Sequence, residues 1–310
     1  MDVLADALKA MRTARPRSAR AEVRAPWGLR FPAFTGTTFH VVLHGSCWLL
    51  DGKPGEPGEP GEGRHLRLGP GDVVFLRRAT EHVLADDPAS PVRAFEPEEV
   101  GTDSLGRLRL DGPGEATVLL CGAYLLDGER PHPLLAELPG VLHLPAGAHG
   151  RLGRLVDLLG QEFDDPQPGS DGVVPALVDA MLLYILRAWI AGRRDVPGGW
   201  AAALTDPAIS AALRDIHSEP ERPWTVAALA ARSAMSRTVF AQRFTELVGR
   251  PPLTYLTWWR MTVAARLLRE SGAPLAVVAR QVGYVSPYAF ARAFRREYGI
   301  SPGRYRHARS

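Results

Sequence analysis

The last hundred residues contain an internal repeat at an offset of 50 residues, and this repeat constrains the fold more than any other feature. Seven identities fall in register across twenty positions. A fixed repeat of this length indicates a repeated supersecondary unit. The paired positions are Ser236 and Ser286, Phe240 and Phe290, Ala241 and Ala291, Phe244 and Phe294, Gly249 and Gly299, Pro252 and Pro302, and Tyr255 and Tyr305.

Each repeat unit is predicted to fold as helix, turn and helix. In the first unit, Thr225 is a predicted N-cap before an apolar run, and Ser236 is the predicted N-cap of the second helix. In the second unit, Gly283 falls in the turn, where a left-handed residue is often needed. Ser286 then precedes a proline that suits the first position of the last long helix.

A single long helix is predicted to join the two units, over residues 252–269. Such a helix spans about 27 Å. That length suits two recognition helices that enter successive major grooves of DNA, about 34 Å apart. The predicted core stripe of the joining helix is Leu256, Trp259, Val263 and Leu267.

The charge of the chain is divided between its two parts. Residues 206–310 carry 16 arginines against 7 acidic residues, a net charge of +9, whereas the first 205 residues carry −6. A basic part joined to an acidic part suggests that only the basic part meets a polyanion. Uneven charge is common in proteins, so this observation alone does not decide for nucleic acid.

The second helix of each unit has an apolar face and a polar face. Phe240 and Phe244 are expected to face the core of the first unit, and Phe290 and Phe294 that of the second. Arginine suits guanine and glutamine suits adenine in the major groove, although a solvated amphipathic helix would show the same pattern. The polar stripes are Thr238, Gln242 and Thr245, and Tyr288, Arg292 and Arg295.

The C-terminal part resembles the AraC/XylS family of transcription regulators. The resemblance rests on RMTVAARLLRESGAPLAVVARQVGYVSPYAFARAFRREYGISPGRYR and on the preceding TVAALAARSAMSRTVFAQRFTELVGRPPLTYL. It implies that Thr238, Gln242 and Arg292 face DNA bases. Other residues of the implied interface contact phosphates, pack or flank the base-facing positions. These are Arg237, Arg243, Ser286, Tyr288, Arg295 and Arg296.

The first half is predicted to consist of short strands separated by turns. The candidate strands are 39–50, 66–76, which contains the turn Gly69-Pro70-Gly71-Asp72, and 117–126. The segment GKPGEPGEPGEG over 52–63 is predicted to be a surface loop of a hairpin. From about His132 the pattern becomes helical. The expected boundaries are 1–191 for a sensor and dimerisation domain, 192–205 for a linker, and 206–310 for a DNA-binding domain.

The N-terminal half is similar to the cupin-type sensor domains of one branch of that family. FHVVLHGSCWL, LGPGDVVFLRRATEHVL and LLCGAYLLD carry the resemblance, which extends to reactive-chlorine-responsive regulators through the Cys121-Gly122 step. It implies a small-molecule or oxidant effector, with His40, His82, Cys47 and Cys121 as candidate sensor residues. An oxidant response is expected to use Cys121, since a neighbouring His40 or His82 would activate its thiol. An inert core thiol is the alternative.

The expected fold class is therefore α+β. An N-terminal cupin-like β-barrel with a helical dimerisation segment precedes a C-terminal all-α domain with two helix-turn-helix units. His40, His44 and His82 could bind a divalent metal. However, the H-x-H pattern with a following carboxylate that marks cupin enzymes is absent, so no cofactor is certain.

The most apolar segment, residues 173–191, is predicted to be a buried or dimer-forming helix, and Leu186→Glu is expected to give monomers if Leu186 lies in the interface. It contains Pro175, Asp179 and Arg187, and charges cost about 2.5–3.5 kcal/mol each at bilayer depth, so no membrane span is expected. Two cysteines suit a reducing cytoplasm. The chain is expected to be a cytoplasmic homodimer.

The predicted function is that of a DNA-binding transcription regulator that responds to a small molecule or an oxidant. Double-stranded DNA is the expected partner, and RNA polymerase is a further partner if the protein is an activator. No nucleophile–base constellation or phosphate loop is recognisable, so an enzyme is not expected. The alternatives are a metal-dependent cupin enzyme with a helical appendage, and a dimeric ligand-binding module whose DNA reader is inactive.

Overall fold

The computed structural model describes residues 2–14, 16–51, 64–100, 106–126, 132–148, 150–193 and 198–307. The predicted loop at 52–63 lies outside these ranges. The chain divides into two compact units. The helical unit comprises Met1–Thr13, Pro131–Glu137 and Ile190–Ser310, and the sheet unit comprises Ala14–Arg130 and Leu138–Trp189.

The strands in the described part of the chain all lie in the sheet unit. They form a sheet in the order β11-β6-β3-β10-β1-β9 and a second sheet in the order β5-β4-β7-β2-β8. The pairs β1–β9 and β2–β8 are parallel. The strands are β1 (Arg17–Arg24), β2 (Gly28–Phe31), β3 (Thr37–His44), β4 (Cys47–Asp51), β5 (Arg64–Leu68), β6 (Val73–Leu76), β7 (His82–Ala85), β8 (Arg93–Ala94), β9 (Gly106–Leu110), β10 (Ala116–Tyr124) and β11 (Val141–Leu144).

The helices of both units follow in chain order. Those of the sheet unit are α3 and α4, and the others belong to the helical unit. They are α1 (Val3–Met11), α2 (Pro133–Ala136), α3 (Gly150–Asp164), α4 (Ser170–Ala191), α5 (Gly199–Thr205), α6 (Pro207–Ser218), α7 (Val226–Ala231), α8 (Arg237–Val248), α9 (Pro252–Glu270), α10 (Leu275–Gln281), α11 (Pro287–Tyr298) and α12 (Pro302–His307).

The two sheets pack face to face around one apolar core. Val42 and Leu119 from the first sheet and Leu49 and Leu84 from the second belong to the same buried cluster. The apolar run predicted as one strand over 39–50 is divided by Gly45, whose φ of 75° is left-handed. Because the chain turns here, β3 belongs to the first sheet and β4 to the second, and the apolar side chains of both strands face the core between the sheets.

Two expectations for residues 132–191 need correction. Val141–Leu144 is a strand, β11, that pairs with β6, although the pattern was helical there. Leu186 is fully buried within its own chain, because α4 is apolar on nearly all sides and packs its inner side chains into the sheet unit. Leu186 is therefore a core residue and not an interface residue.

Helix α4 is also long and apolar enough to cross a membrane by length and composition alone. Nearly half of its most apolar stretch is buried inside the protein, and the core helices of water-soluble proteins pass the same test. The hydroxyl of Tyr124 on β10 donates a hydrogen bond to the carbonyl of Val178 in the helix, at 2.5 Å. The helix is thus anchored to the sheet, as expected of a packed helix.

The sequence repeat has an equivalent packing in each unit. The rings of Phe240 and Phe244 are 5.8 Å apart, and so are the rings of Phe290 and Phe294. The ring of Tyr255 packs edge-on against Phe244, at 5.9 Å. Tyr305 packs in the same way against Phe294, at 5.3 Å. The two predicted helix-turn-helix units are confirmed, and each has the same aromatic anchor.

The two turns have the same length, but the left-handed residue is shifted by one position between them. The left-handed position is Ala234 in the first turn, with φ of 50°, and Gly283 in the second, with φ of 79°. A Cβ at Gly283 would lie 2.6 Å from the carbonyl oxygen of Glu221, so glycine is required there. Five residues separate the two helices in each unit, 232–236 and 282–286, so Val285 occupies the position that Met235 has in the first turn.

The joining helix α9 is buried over most of its circumference. It packs against α1, α6, α8, α10, α11 and α12. Of its predicted core stripe, Leu256 and Trp259 are buried, whereas Val263 and Leu267 are only half-buried. The stripe is wider than predicted because helices cover α9 on several sides.

Residues 199–205, predicted as part of the linker, form helix α5. It packs against α6 and α8, and Trp200 is buried. Glu137 accepts hydrogen bonds from the Trp200 backbone N–H at 3.1 and 3.0 Å, which satisfies the start of α5. Asp206 is the N-cap of α6 and accepts from the N–H groups of Ala208 and Ile209, both at 2.9 Å.

Replacing Ala234 with glycine is expected to raise the free energy of unfolding of the helical unit by up to about 1 kcal/mol. A left-handed conformation costs an L-residue about 1–2 kcal/mol, and the greater freedom of glycine in the unfolded chain offsets part of that gain. Ala227 is exposed within α7, so Ala227→Gly is a matched control that should lower stability by about 1 kcal/mol. Denaturant titration followed by tryptophan fluorescence measures both, and equal losses would show that Ala234 is unstrained.

Candidate nucleic-acid interface and ligand pocket

Helix α8 exposes the residues predicted to read DNA. Arg237, Thr238 and Gln242 are exposed, while Phe240 and Phe244 on the opposite side are fully buried. The predicted helix phase is therefore confirmed for this helix. Thr245 is half-buried, and its hydroxyl donates to the carbonyl of Ala241 at 2.7 Å.

Arg243 has a different position from the other candidates on α8. Its Nε donates to Asp206 Oδ2 at 2.6 Å, and its Nη2 contacts the same oxygen. Burial raises the pKa of Asp206, but hydrogen bonds from Ile209 and Arg243 outweigh it and the pKa falls below its usual value. Of the two roles that the sequence leaves open for Arg243, this contact favours packing over phosphate binding, because the guanidinium already holds the start of α6.

Helix α11 presents the equivalent surface in the second unit. Tyr288 is 89% exposed, and Arg292, Arg295 and Arg296 are exposed as well. Ser286 is the N-cap, because its hydroxyl accepts from the Ala289 N–H at 3.4 Å. Ser286 therefore stabilises the start of α11, the helix that carries the three arginines.

Each helix-turn-helix unit also exposes an apolar residue that is not predicted from the sequence. Val285, in the second turn, is 99% exposed, and Val239 on α8 is 53% exposed. Exposed apolar side chains beside arginines suit contact with thymine methyl groups in a major groove. Val285 occupies the position of Met235 in the repeat, so the repeat itself gives no signal for its exposure.

The tyrosine of the first unit is hydrogen-bonded to a segment from the N-terminal half. The Tyr255 hydroxyl lies 3.2 Å from Nε2 of His132, the N-cap of α2, and 2.8 Å from Nε2 of His217. The Leu134 N–H donates to His132 Nδ1 at 3.1 Å. His132 therefore donates from Nε2 to the Tyr255 hydroxyl, which in turn donates to His217. Burial lowers the pKa of both histidines, so the chain of hydrogen bonds is neutral.

The tyrosine of the second unit has an analogous link to helix α1. The Tyr305 hydroxyl accepts from Arg269 Nη1 at 2.7 Å. Arg269 Nη2 donates to the carbonyls of Ala10 and Arg12, at 3.3 and 3.1 Å, at the C-terminal end of α1. A cation at this end of a helix stabilises the orphan carbonyls. Thus α1 and α2, which precede and follow the strands β1 to β10, are both built into the helical unit.

The sheet unit contains a cavity of about 330 Å³. Most of its described lining is apolar, with Phe31, Phe34 and Phe95 supplying aromatic surface. Its volume falls in the range of pockets that hold small organic ligands. Residues of β1 and β10 form part of the wall. They are Arg17, Ser18 and Ala19 from β1, and Cys121, Gly122 and Ala123 from β10.

A chain of hydrogen bonds ends at the thiol in this pocket. His82 Nδ1 donates to the Thr80 carbonyl at 2.8 Å, so the Nε2 atom of His82 is an acceptor. His40 donates to it from Nε2, also at 2.8 Å, which leaves His40 Nδ1 as the acceptor for the Cys121 thiol at 3.0 Å. Burial raises the pKa of Cys121 and lowers that of His40, so the resting pair is a thiol and a neutral imidazole.

The remaining predicted sensor residue, Cys47, lies outside the pocket. Cys47 is buried in the core between the sheets and does not line the pocket, and burial raises its pKa to about 12. Both cysteines are free thiols. Gly122 faces Phe39, whose ring would lie 2.1 Å from a Cβ there.

The structure does not bring the three candidate metal-binding histidines together. The register shifts between Val118 and Leu119 as β10 pairs with β3, which breaks the alternation after Val42 and leaves His44 exposed. The His40 and His82 Nε2 atoms, 2.8 Å apart, are hydrogen-bonded to each other, whereas two nitrogen ligands of a tetrahedral metal lie about 3.4 Å apart. Among the residues that the structure describes, no group of three or more histidine, cysteine or acidic side chains is placed to hold a metal ion.

Comparisons with known proteins agree with this architecture. A cupin family model matches residues 2–191, and a helix-turn-helix domain model matches residues 229–308. A protein of Streptomyces antibioticus named as an AraC-like transcription regulator is 35% identical over 99% of this chain and 98% of its own length. The RCS-specific HTH-type transcriptional activator RclR of Escherichia coli is 32% identical, over 62% of this chain and 68% of its own.

Among solved structures, the DNA-binding domain of AdpA in complex with a target DNA is 39% identical. The match covers 33% of this chain and 92% of that one, with a TM-score of 0.32. The matched cupin model spans more than half of the chain, and the Streptomyces relative spans nearly all of it. This chain therefore belongs to the AraC-like DNA-binding transcription regulators, with a cupin-like domain before its helix-turn-helix domain.

Proposed function

We propose that the protein reads two adjacent segments of double-stranded DNA with α8 and α11. The carrying observation is that equivalent helices, each anchored by a buried phenylalanine pair, expose polar and basic residues on the opposite face. Thr238, Gln242 and Arg292 contact bases in this proposal. Arg237, Arg295 and Arg296 bind phosphates, which position the protein without reading sequence.

We further propose that a small molecule or an oxidant acting in the sheet-unit pocket sets the affinity for DNA. The wall of the pocket includes β1 and β10, and these strands are the ones adjacent in sequence to α1 and α2. A change at the pocket wall then reaches both helix-turn-helix units through covalent connections. A movement of α1 would act on Tyr305 through Arg269, and a movement of His132 would act on Tyr255 directly.

Regulation, and not catalysis, is the function that the site supports. The curated relatives are named as transcription regulators. The metal-dependent cupin enzyme is disfavoured because the histidines that such an enzyme would use are hydrogen-bonded to each other or exposed. A protein that binds chromosomal DNA would act in the cytoplasm, and RNA polymerase would be a partner if DNA binding activates transcription.

A homodimer through α4 is the proposed assembly. The outward face of this helix carries apolar side chains at helical spacing, and Val173 is 41% exposed. Such a face is suited to a second copy of the same helix. The face consists of Val173, Ala176, Leu177, Ala180 and Tyr184.

Arg292→Ala is expected to weaken binding to the specific site by about 1–3 kcal/mol and to relax preference at one base position. Arg296→Ala should weaken specific and random DNA alike and reduce the salt dependence, because a phosphate contact releases counterions whatever the sequence. Footprinting of the full chain on DNA upstream of its own gene locates the site. Titration at several salt concentrations then compares the variants, and equal loss on both DNAs for Arg292→Ala would reject its role as a base reader.

Ala176→Glu is expected to convert the dimer to a monomer, since it places a charge in the proposed interface without filling any space in the chain's own core. Ala176 is exposed in the single chain. Ala89 is exposed in a turn of the sheet unit, so Ala89→Glu controls for added charge. Sedimentation velocity at micromolar concentration measures the state of each, with thermal unfolding to check the fold. If the wild-type protein sediments as a monomer at this concentration, the proposed dimer is wrong.

A further inference from the structure

The pocket joins a reactive pair of side chains to an apolar cavity. Cys121 lines the cavity and donates its thiol proton to His40 Nδ1 at 3.0 Å. His40 and His82 line it as well, and both are almost completely buried. Phe31 stacks on His82, with ring centroids 5.1 Å apart, and holds the imidazole in place. The arrangement is a thiol with a positioned base, facing a space that fits a small organic molecule.

The hydrogen bonds define the direction of proton transfer. Because His82 is held as an acceptor by its bond to Thr80, His40 keeps its proton on Nε2 and offers Nδ1 to sulfur. His40 can therefore take the thiol proton and remain hydrogen-bonded on both nitrogens. An adjacent base of this kind activates a cysteine for nucleophilic attack.

The chemistry of the wall restricts the reactant. No acidic side chain is found among the described lining residues, and the arginine present, Arg17, is exposed. The resting thiol is protonated, which disfavours reagents that need a free thiolate in water. An electrophile that first binds among Phe31, Phe34 and Phe95 is favoured, since it meets the sulfur and the base together.

We propose that Cys121 forms a covalent thioether with an uncharged, apolar α,β-unsaturated carbonyl compound bound in this pocket. The S–H bond breaks and its proton moves to His40 Nδ1, while the sulfur electron pair forms a bond to the β-carbon. The C=C π pair moves to give an enolate, and His40 returns the proton to the α-carbon. No oxidant or reductant is consumed, and the His40 imidazole is neutral again at the end.

This inference deepens the proposed effector role of the pocket and depends on it. The probe is benzylideneacetone, an apolar enone, and its saturated analogue benzylacetone is a matched ligand that cannot form the adduct. The full-length protein is treated at a range of enone concentrations, and intact mass with peptide mapping follows the adduct. Cys121→Ser and Cys47→Ser identify the site.

The expected result is one adduct at Cys121, with a rate that saturates with enone concentration and is competitively reduced by benzylacetone. His40→Gln should lower the limiting rate at least about tenfold, since a general base contributes about 10²–10⁴-fold, and should leave the half-saturating concentration nearly unchanged. A rate that rises linearly without competition, or an adduct only after denaturation, would overturn the proposal. If His40→Gln does not fold, the wild-type protein alone tests the proposal, through saturation of the rate with enone concentration and competition by benzylacetone.

DNA binding separates this inference from the proposed function. If benzylacetone changes the affinity for the upstream DNA but the enone leaves Cys121 unmodified, the pocket remains an effector site and the covalent step is wrong. If the adduct forms at Cys121 with saturation and competition while the untreated protein binds no DNA, the covalent step stands and the proposed function fails.

Discussion

The hydroxyl groups of Tyr255 and Tyr305 link the two helix-turn-helix units to the segments that precede and follow the strands β1 to β10. These tyrosines occupy the same position in the two repeats, and each packs edge-on against the second phenylalanine of its unit. The hydroxyl of the first is bonded to His132 at the start of α2, and that of the second is bonded to Arg269, which holds the end of α1. The aromatic cores of both helix-turn-helix units are thus hydrogen-bonded to segments adjacent in sequence to β1 and β10.

The two links have different physical character. The chain from His132 through Tyr255 to His217 is neutral and buried, so breaking it leaves polar atoms without partners, at a cost of about 1–3 kcal/mol. The Arg269 link uses a guanidinium that neutralises carbonyls at a helix end. Helix α1 and the segment before α2 also touch each other, since the His132 N–H lies 3.0 Å from the Met11 sulfur.

Local features were predictable because their causes are local. The repeat, the N-caps at Ser236 and Ser286, and the glycine in the second turn follow from short-range geometry, and the resemblance correctly implied the fold of both parts. The membership of α1 and α2 in the helical unit depends on contacts such as Arg269 with Ala10, which span most of the chain. His44 was misplaced because a register shift in the β3–β10 pairing interrupts the alternation on which its prediction relied. The bond between Cys121 and His40 confirms that an imidazole lies beside the thiol. The expected lowering of the thiol pKa by an imidazolium is wrong, because burial lowers the pKa of His40 and raises that of Cys121.

The most direct test of the central claim is amide hydrogen exchange of the full chain in Tyr255→Phe and Tyr305→Phe. Losing one buried hydrogen bond should speed exchange by about tenfold in the attached segment. Tyr305→Phe should affect α1 and spare residues 132–137, and Tyr255→Phe should do the opposite. Unchanged exchange rates in both segments would contradict the claim that each tyrosine holds its own segment. Equally faster exchange in all helices of the helical unit would contradict it as well.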